Sequence, residues 1–148
     1  TLHANDAITA IPRLLDLKVD RFLLSTSLRA VIAQRLVRRI CPHCQDEYVY
    51  ETGELTDLGF PELEGTVAEG VKGRGCAACN NTGYTGRMVI GEILRIDEEV
   101  QELVYQGASL KQMMEVAVKN GMVTIHEDGK QKAMDGHTTF EEVARVIG

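Results

Sequence analysis

Two short motifs constrain this chain more than anything else in it. Cys41-Pro42-His43-Cys44 and Cys76-Ala77-Ala78-Cys79 are C-x-x-C pairs with 31 residues between them. Thiols three positions apart in a tight turn can both reach one ion, and two such turns complete a tetrahedron. The stretch between them carries Gly53, Gly59, Gly65, Gly70, Gly73 and Gly75 together with Pro61. So many turn residues cannot assemble a core unaided, and a bound metal offsets the entropy of ordering them. The spacing predicts a closed four-cysteine centre, with zinc rather than iron, whose role is structural because no coordination position stays open. His43 is then a solvent-facing neighbour of the metal and not a fifth ligand. Residues 41–86 are expected to form a small metal-stapled subdomain.

Cys-Pro-His-Cys also matches the active-site quartet of strongly oxidising thioredoxin-fold proteins, where a helix N-terminus lowers the thiolate pKa. That reading needs a βαβ frame around the motif, which the pattern does not supply, and it leaves Cys76 and Cys79 without a role. Cys79-Asn80-Asn81-Thr82-Gly83 is similar to the knuckles of DnaJ-type modules, but those repeat more cysteine pairs than are found here. Four cysteines without a secretory signal suit a reducing compartment, where paired cysteines hold metal more often than they form disulfides.

Composition narrows the class further. Sixteen Lys and Arg against twenty-two Asp and Glu leave a net charge of −6 over 148 residues. Net acidity argues against a nucleic-acid partner, because phosphate contacts need clustered basic side chains. Hydrophobic residues at 44% and charged residues at 26% suit a globular domain and argue against disorder. No apolar run approaches the length of a membrane span, so no transmembrane segment is expected. The charge is uneven: residues 1–50 hold seven basic and five acidic side chains, net +2, which leaves −8 for residues 51–148. Five arginines between Arg21 and Arg39 read either as a solvated face or as a partner or nucleotide surface.

The chain alternates helical and strand patterns, which predicts an α/β to α+β fold. Thr1-Leu2-His3-Ala4-Asn5-Asp6 reads as a strand-to-helix loop, with Asn5 or Asp6 placed to cap the next helix. Ile8, Ile11, Leu14 and Leu15 share one helical face, and Pro12 limits how far back that helix can begin. A second helix is expected over residues 20–29, and the β-branched run 31–37 reads as a strand. Residues 87–96 alternate, with Val89, Gly91, Ile93 and Arg95 on one face and Met88, Ile90, Glu92, Leu94 and Ile96 on the other. From Asp97 the chain punctuates itself into four short helices. Three of them open with capping boxes at Ser109–Gln112, Thr124–Glu127 and Thr138–Glu141, and glycines follow. Residues 87–148 are thus expected to be a strand followed by a compact helical cap. Asp97, Glu98 and Glu99 read as first-turn charges favoured by the helix dipole. Glu92 takes no catalytic role from its place on a strand, and His126 and His137 read as ordinary surface residues.

Set together, the pieces resemble one family. Thr1-Leu2-His3-Ala4-Asn5-Asp6-Ala7 is similar to the histidine box of the secretion ATPases that drive type II secretion and type IV pilus assembly. The run 33–44, Ala-Gln-Arg-Leu-Val-Arg-Arg-Ile-Cys-Pro-His-Cys, resembles that family's approach to its first cysteine pair. The run 75–87, Gly-Cys-Ala-Ala-Cys-Asn-Asn-Thr-Gly-Tyr-Thr-Gly-Arg, resembles its second. Asp128-Gly129-Lys130, and Gly136-His137-Thr138-Thr139-Phe140-Glu141-Glu142-Val143, resemble its ending.

The resemblance implies the C-terminal portion of a RecA-like P-loop ATPase that works as a homohexamer on the cytoplasmic face of the bacterial inner membrane. It would bind Mg-ATP between subunits and move an inner-membrane platform protein. Residues 1–40 would close the ATPase core, 41–86 would be the tetracysteine zinc element with Cys41, Cys44, Cys76 and Cys79 as ligands, and 87–148 the strand and helical bundle. By the same resemblance His3 would lie near the nucleotide γ-phosphate and Arg87 would contact the nucleotide. An exposed strand arginine is the alternative for Arg87. Ala4 stands where the family usually has Thr, and Lys18 where it often has Gly, so Lys18 must accept a left-handed helix end or a different turn. These 148 residues hold no G-x-x-x-x-G-K-[ST] and no acidic Walker B strand, so alone they are expected not to hydrolyse ATP. The competing readings are a stand-alone zinc-stabilised interaction module and a thiol oxidoreductase using Cys41 and Cys44.

Overall fold

The computed structural model describes Ala4, residues 6–63 and residues 68–148. The expectations for His3 and for a cap at Asn5 lie outside the described residues. The architecture is α+β, with seven α-helices and two small two-stranded sheets among the described residues. Two compact units divide the chain: residues 1–34 with 91–125, and residues 35–90 with 126–148. Strands β1 (Ala30–Ile40) and β4 (Tyr84–Arg95) pair with each other, and each contributes residues to both units.

The first unit is built by helices whose ends were written locally. Asp6 Oδ1 accepts the Thr9 amide at 2.8 Å ahead of α1 (Ala10–Asp16), and Asp20 accepts the Leu23 amide at 3.1 Å to start α2 (Arg21–Ser27). Between them Lys18 takes the left-handed conformation, φ 62°, so the amides of Lys18 and Val19 return to the carbonyls of Leu15 and Leu14. Asp97 caps α4 (Glu98–Gln106), which stops at Gly107 with φ 72°. Ser109 and Gln112 form the expected reciprocal box at the start of α5 (Leu110–Lys119). Ile8, Ile11, Leu24, Leu94, Val100, Val104 and Met113 meet in one apolar cluster. Along this part of β4 the period of two holds: Glu92, Leu94 and Ile96 are buried while Ile93 is exposed.

The second unit shows what the glycine-rich stretch packs against. Strands β2 (Gln45–Tyr50) and β3 (Ala68–Gly73) pair antiparallel from Gln45↔Gly73 to Tyr50↔Ala68, with α3 (Thr52–Asp57) between them. Tyr50, Leu55 and Phe60 are fully buried. The rings of Tyr50 and Phe60 each stand edge-on to Phe140, with centroids 4.9 Å apart. The glycine-rich stretch therefore borrows its core from α7 (Phe140–Ile147), ninety positions from Tyr50. The four C-terminal helices are shared between the two units. Helices α4 and α5 belong to the first unit, while α7 and all but the first residue of α6 (Ile125–Met134) belong to the second. A register error accompanies this: α7 is capped by Thr139, whose hydroxyl accepts the Glu142 amide at 3.2 Å, and not by Thr138 with Glu141. Thr138 Oγ1 instead donates to the Arg38 carbonyl, and Glu141 accepts the Tyr50 hydroxyl. Two adjacent threonines offer the same local signal, and only their distant partners separate them.

Candidate metal centre

The four cysteines come from two turns at one end of the second unit. Cys41 and Cys44 occupy the tight connection between β1 and β2, and Cys76 and Cys79 bracket a 3-10 turn ahead of β4. Backbone bonds lock the two turns together: the Cys41 amide donates to the Gly83 carbonyl at 2.9 Å, and the Arg74 amide to the Cys44 carbonyl at 2.9 Å. The second turn closes on itself when the Asn81 amide reaches the Cys76 carbonyl, also at 2.9 Å. Asn80 and Asn81 are left-handed at φ 51° and 60°, a conformation their short polar side chains tolerate. Gly73 and Gly83 touch backbone to backbone; a Cβ on Gly73 would lie 2.6 Å from the Gly83 Cα.

This scaffold brings all four Sγ atoms within 4.8 Å of one another. The separations are 3.9 Å for Cys41–Cys76, 3.9 Å for Cys44–Cys79 and 3.8 Å for Cys76–Cys79. A tetrahedron with metal–sulfur bonds of about 2.3 Å has edges of about 3.8 Å. All four are free thiols, and three of them are buried. The donor set and its spacing fit a metal ion such as zinc. The cluster leaves no isolated Cys41–Cys44 dithiol, since each pair has the other pair as its neighbour.

The environment prepares some of these sulfurs as anions. Burial raises the Cys79 thiol, but amides of Cys76 at 3.2 Å and Gly83 at 3.3 Å donate to its sulfur and bring it down to about 6. Cys41 is held below the ordinary thiol range, chiefly by the Thr85 side chain. Cys44 goes the other way, pushed up to about 12 by burial. A cation at the centre of the cluster reverses that cost, because a coordinating thiol gives up its proton.

The other residues marked in the sequence fall apart from this centre. His43 is exposed and outside the cluster. Arg87 is an exposed residue of β4 and makes no ion pair among the described residues. Of the five arginines, Arg38 turns inward: it stacks over the Tyr84 ring at 4.2 Å and pairs with Glu142 at 2.7 Å. His126 is more engaged than a surface histidine, packing on Phe60 with its Nε2 3.1 Å from the Gly59 carbonyl. Glu62, His126 and Glu127 form a second group of possible ligands, but the Lys130 ammonium already sits 3.1 Å from Glu62 and 2.7 Å from Glu127. Reading by motif missed the buried carboxylates Glu92 and Glu142. The strand alternation did place Glu92 on the same face as Ile90 and Leu94, which was the available signal.

Comparison with known proteins adds a family to this geometry. The model of the family described as type II/IV secretion system protein matches residues 1–145. A type IV pilus assembly ATPase, PilB of Thermus thermophilus, is 45% identical over 99% of this chain. The type II secretion system protein HxcR of Pseudomonas aeruginosa is 43% identical, and a type II secretion system ATPase E of Vibrio cholerae 38%, each again over 99% of this chain. The chain spans only 17%, 27% and 28% of the lengths of these three relatives.

Proposed function

The chain belongs to the type II/IV secretion system protein family, and on that premise we propose that it is the C-terminal part of an ATP-hydrolysing motor for type II secretion or type IV pilus assembly. The observation that carries this reading is the identity of 38–45% along essentially the whole chain to proteins named as ATPases of those machines. In this reading the motor is a RecA-like homohexamer, peripheral to the cytoplasmic face of the inner membrane, that works on a platform protein there. The absence of any helix long and apolar enough to cross a membrane among the described residues is compatible with it.

Within that motor the division of labour is as follows. Residues 1–40 complete the ATPase core, and the histidine-box segment with His3 serves the nucleotide γ-phosphate. Arg87, exposed on β4, is free to meet the nucleotide. The G-x-x-x-x-G-K-[ST] loop that cradles phosphates and Mg²⁺ is supplied by residues outside these 148. Cys41, Cys44, Cys76 and Cys79 hold zinc, which supplies four strong bonds that pin the two cysteine turns to each other and takes no part in hydrolysis. The convergence of all four thiols favours this over a redox role for Cys41 and Cys44.

Elemental analysis and ATP-turnover assays test the proposal together. The purified 148-residue chain should carry one zinc and hydrolyse no ATP, whereas the longer protein containing it should hydrolyse Mg-ATP. Turnover by the 148 residues alone, or a metal-free protein whose thiols cycle between oxidised and reduced forms, would overturn it.

A further inference from the structure

Glu92 is a buried carboxylate that lies apart from the metal centre. It is 3% exposed, on the inward face of β4, and no ion pair neutralises it among the described residues. Its two oxygens instead each accept one backbone amide: Oε1 that of Ala7 at 2.6 Å, and Oε2 that of Ile125 at 2.8 Å. Those amides lie 85 and 33 positions away in sequence. Burying an acid without a cation is costly unless its hydrogen bonds are complete. Apolar residues at the same face, such as Leu94, would fill the space without that cost. What the acid adds is a rigid two-pronged acceptor that fixes the position of one particular amide.

That amide belongs to Ala7, itself fully buried and the last residue of the Thr1–Ala7 segment. Ile125 opens α6, so the second oxygen takes up one of the amides that a helix start leaves unpaired. The clamp is anchored because β4 is paired with β1 and buries Leu94 beyond Glu92. We infer that Glu92 is a positioning residue for ATP hydrolysis, fixing the C-terminal end of the histidine-box segment through the Ala7 amide. This rests on the motor reading above. Glu92 touches no substrate; it acts on the geometry of the segment.

The test is Glu92→Gln in the longer ATPase, assayed with Mg-ATP and by ADP binding, beside amide exchange at Ala7 in the 148-residue chain. Gln keeps one accepting oxygen but turns an amide nitrogen towards the second N–H, so one prong becomes donor against donor. A positioning role predicts kcat lower by about 10- to 100-fold, with ADP affinity and KM within about twofold, since small misplacements of a reacting group carry that cost. Ala7 amide protection should fall in the same variant. Glu92→Asp, which keeps both acceptors one methylene shorter, decides the matter if the Gln variant does not fold; it should show the same split in milder form. A variant with wild-type kcat, or one that loses kcat and ADP affinity in equal measure with its stability, overturns the inference. A longer wild-type protein that does not hydrolyse ATP removes the motor reading itself, and is recognised before any variant is compared.

Discussion

Glu142 meets Arg38 through two groups at once: its Oε1 accepts the Arg38 backbone amide at 3.0 Å and its Oε2 the Arg38 guanidinium at 2.7 Å. Arg145, one turn further along α7, donates to both oxygens at 2.7 and 2.8 Å. The carboxylate is fully buried, and it ties α7 to β1 within the second unit. Burial alone would raise its pKa, but the hydrogen bonds from Arg145 and Arg38 outweigh that and hold it at about 2. The same bonds raise both guanidinium pKa values.

Acid should therefore weaken this tie. A folded pKa below the unfolded value of about 4.5 contributes stability that is complete above that value and is lost as pH falls towards 2. Glu142→Gln should cost about 2–3 kcal/mol at pH 7, less than a wholly buried pair because both arginines are partly exposed. Denaturant titrations at pH 7 and pH 3 should show the gap between wild type and variant narrowing at the lower pH.

Loss of the metal should be local. Chelation, or Cys76→Ser, is expected to release the ion and lower the Tm by at least about 5 °C. Amides of Cys41, Arg74, Asn81 and Gly83 should then exchange faster. The β2–β3 ladder should keep its protection, because Tyr50 and Phe60 remain packed on Phe140 and Lys72 remains paired with Glu141 at 2.6 Å. A Cys76→Ser protein with full zinc and an unchanged Tm would refute the structural role of the centre.

Two glycines in the same segment should respond in opposite ways to a methyl group. Gly73→Ala drives a Cβ into the Gly83 backbone, which carries the acceptor for the Cys41 amide, so metal affinity should fall by about tenfold or more. Gly53, exposed in α3 with nothing within 4 Å of an added Cβ, should gain about 0.5 kcal/mol as Ala through helix propensity. Zinc competition and thermal melts of the two variants separate steric from conformational effects.

Lys18 offers a stabilising substitution. A non-glycine residue at φ 62° carries a steric cost that Gly escapes. Lys18→Gly should raise stability by about 0.5–1 kcal/mol, read as a rise of roughly 2–4 °C in Tm. No change would mean that the extra entropy glycine gives the unfolded chain offsets the steric relief.

Much of this protein was decided within short windows of sequence. The Ser109–Gln112 box and the alternation along β4 appear where local chemistry put them, because each depends on residues within about four positions, and Asp97, read as a first-turn charge, proves to be the cap one position before that turn. The cysteine spacing likewise dictates one four-thiol cluster. Local chemistry failed where two equal candidates stood side by side: Thr138 and Thr139 are told apart by distant partners, the Arg38 carbonyl for the one and the Tyr84 hydroxyl for the other. The wall that the glycine-rich stretch packs on was equally beyond its reach, because Phe140 lies ninety positions from Tyr50. Nothing in the local sequence marks Glu92 or Glu142 as a buried carboxylate. A buried carboxylate is defined by the groups that surround it; apart from Arg145, one turn along α7, those of Glu92 and Glu142 come from residues 33 to 104 positions away, so only the tertiary structure could assign them.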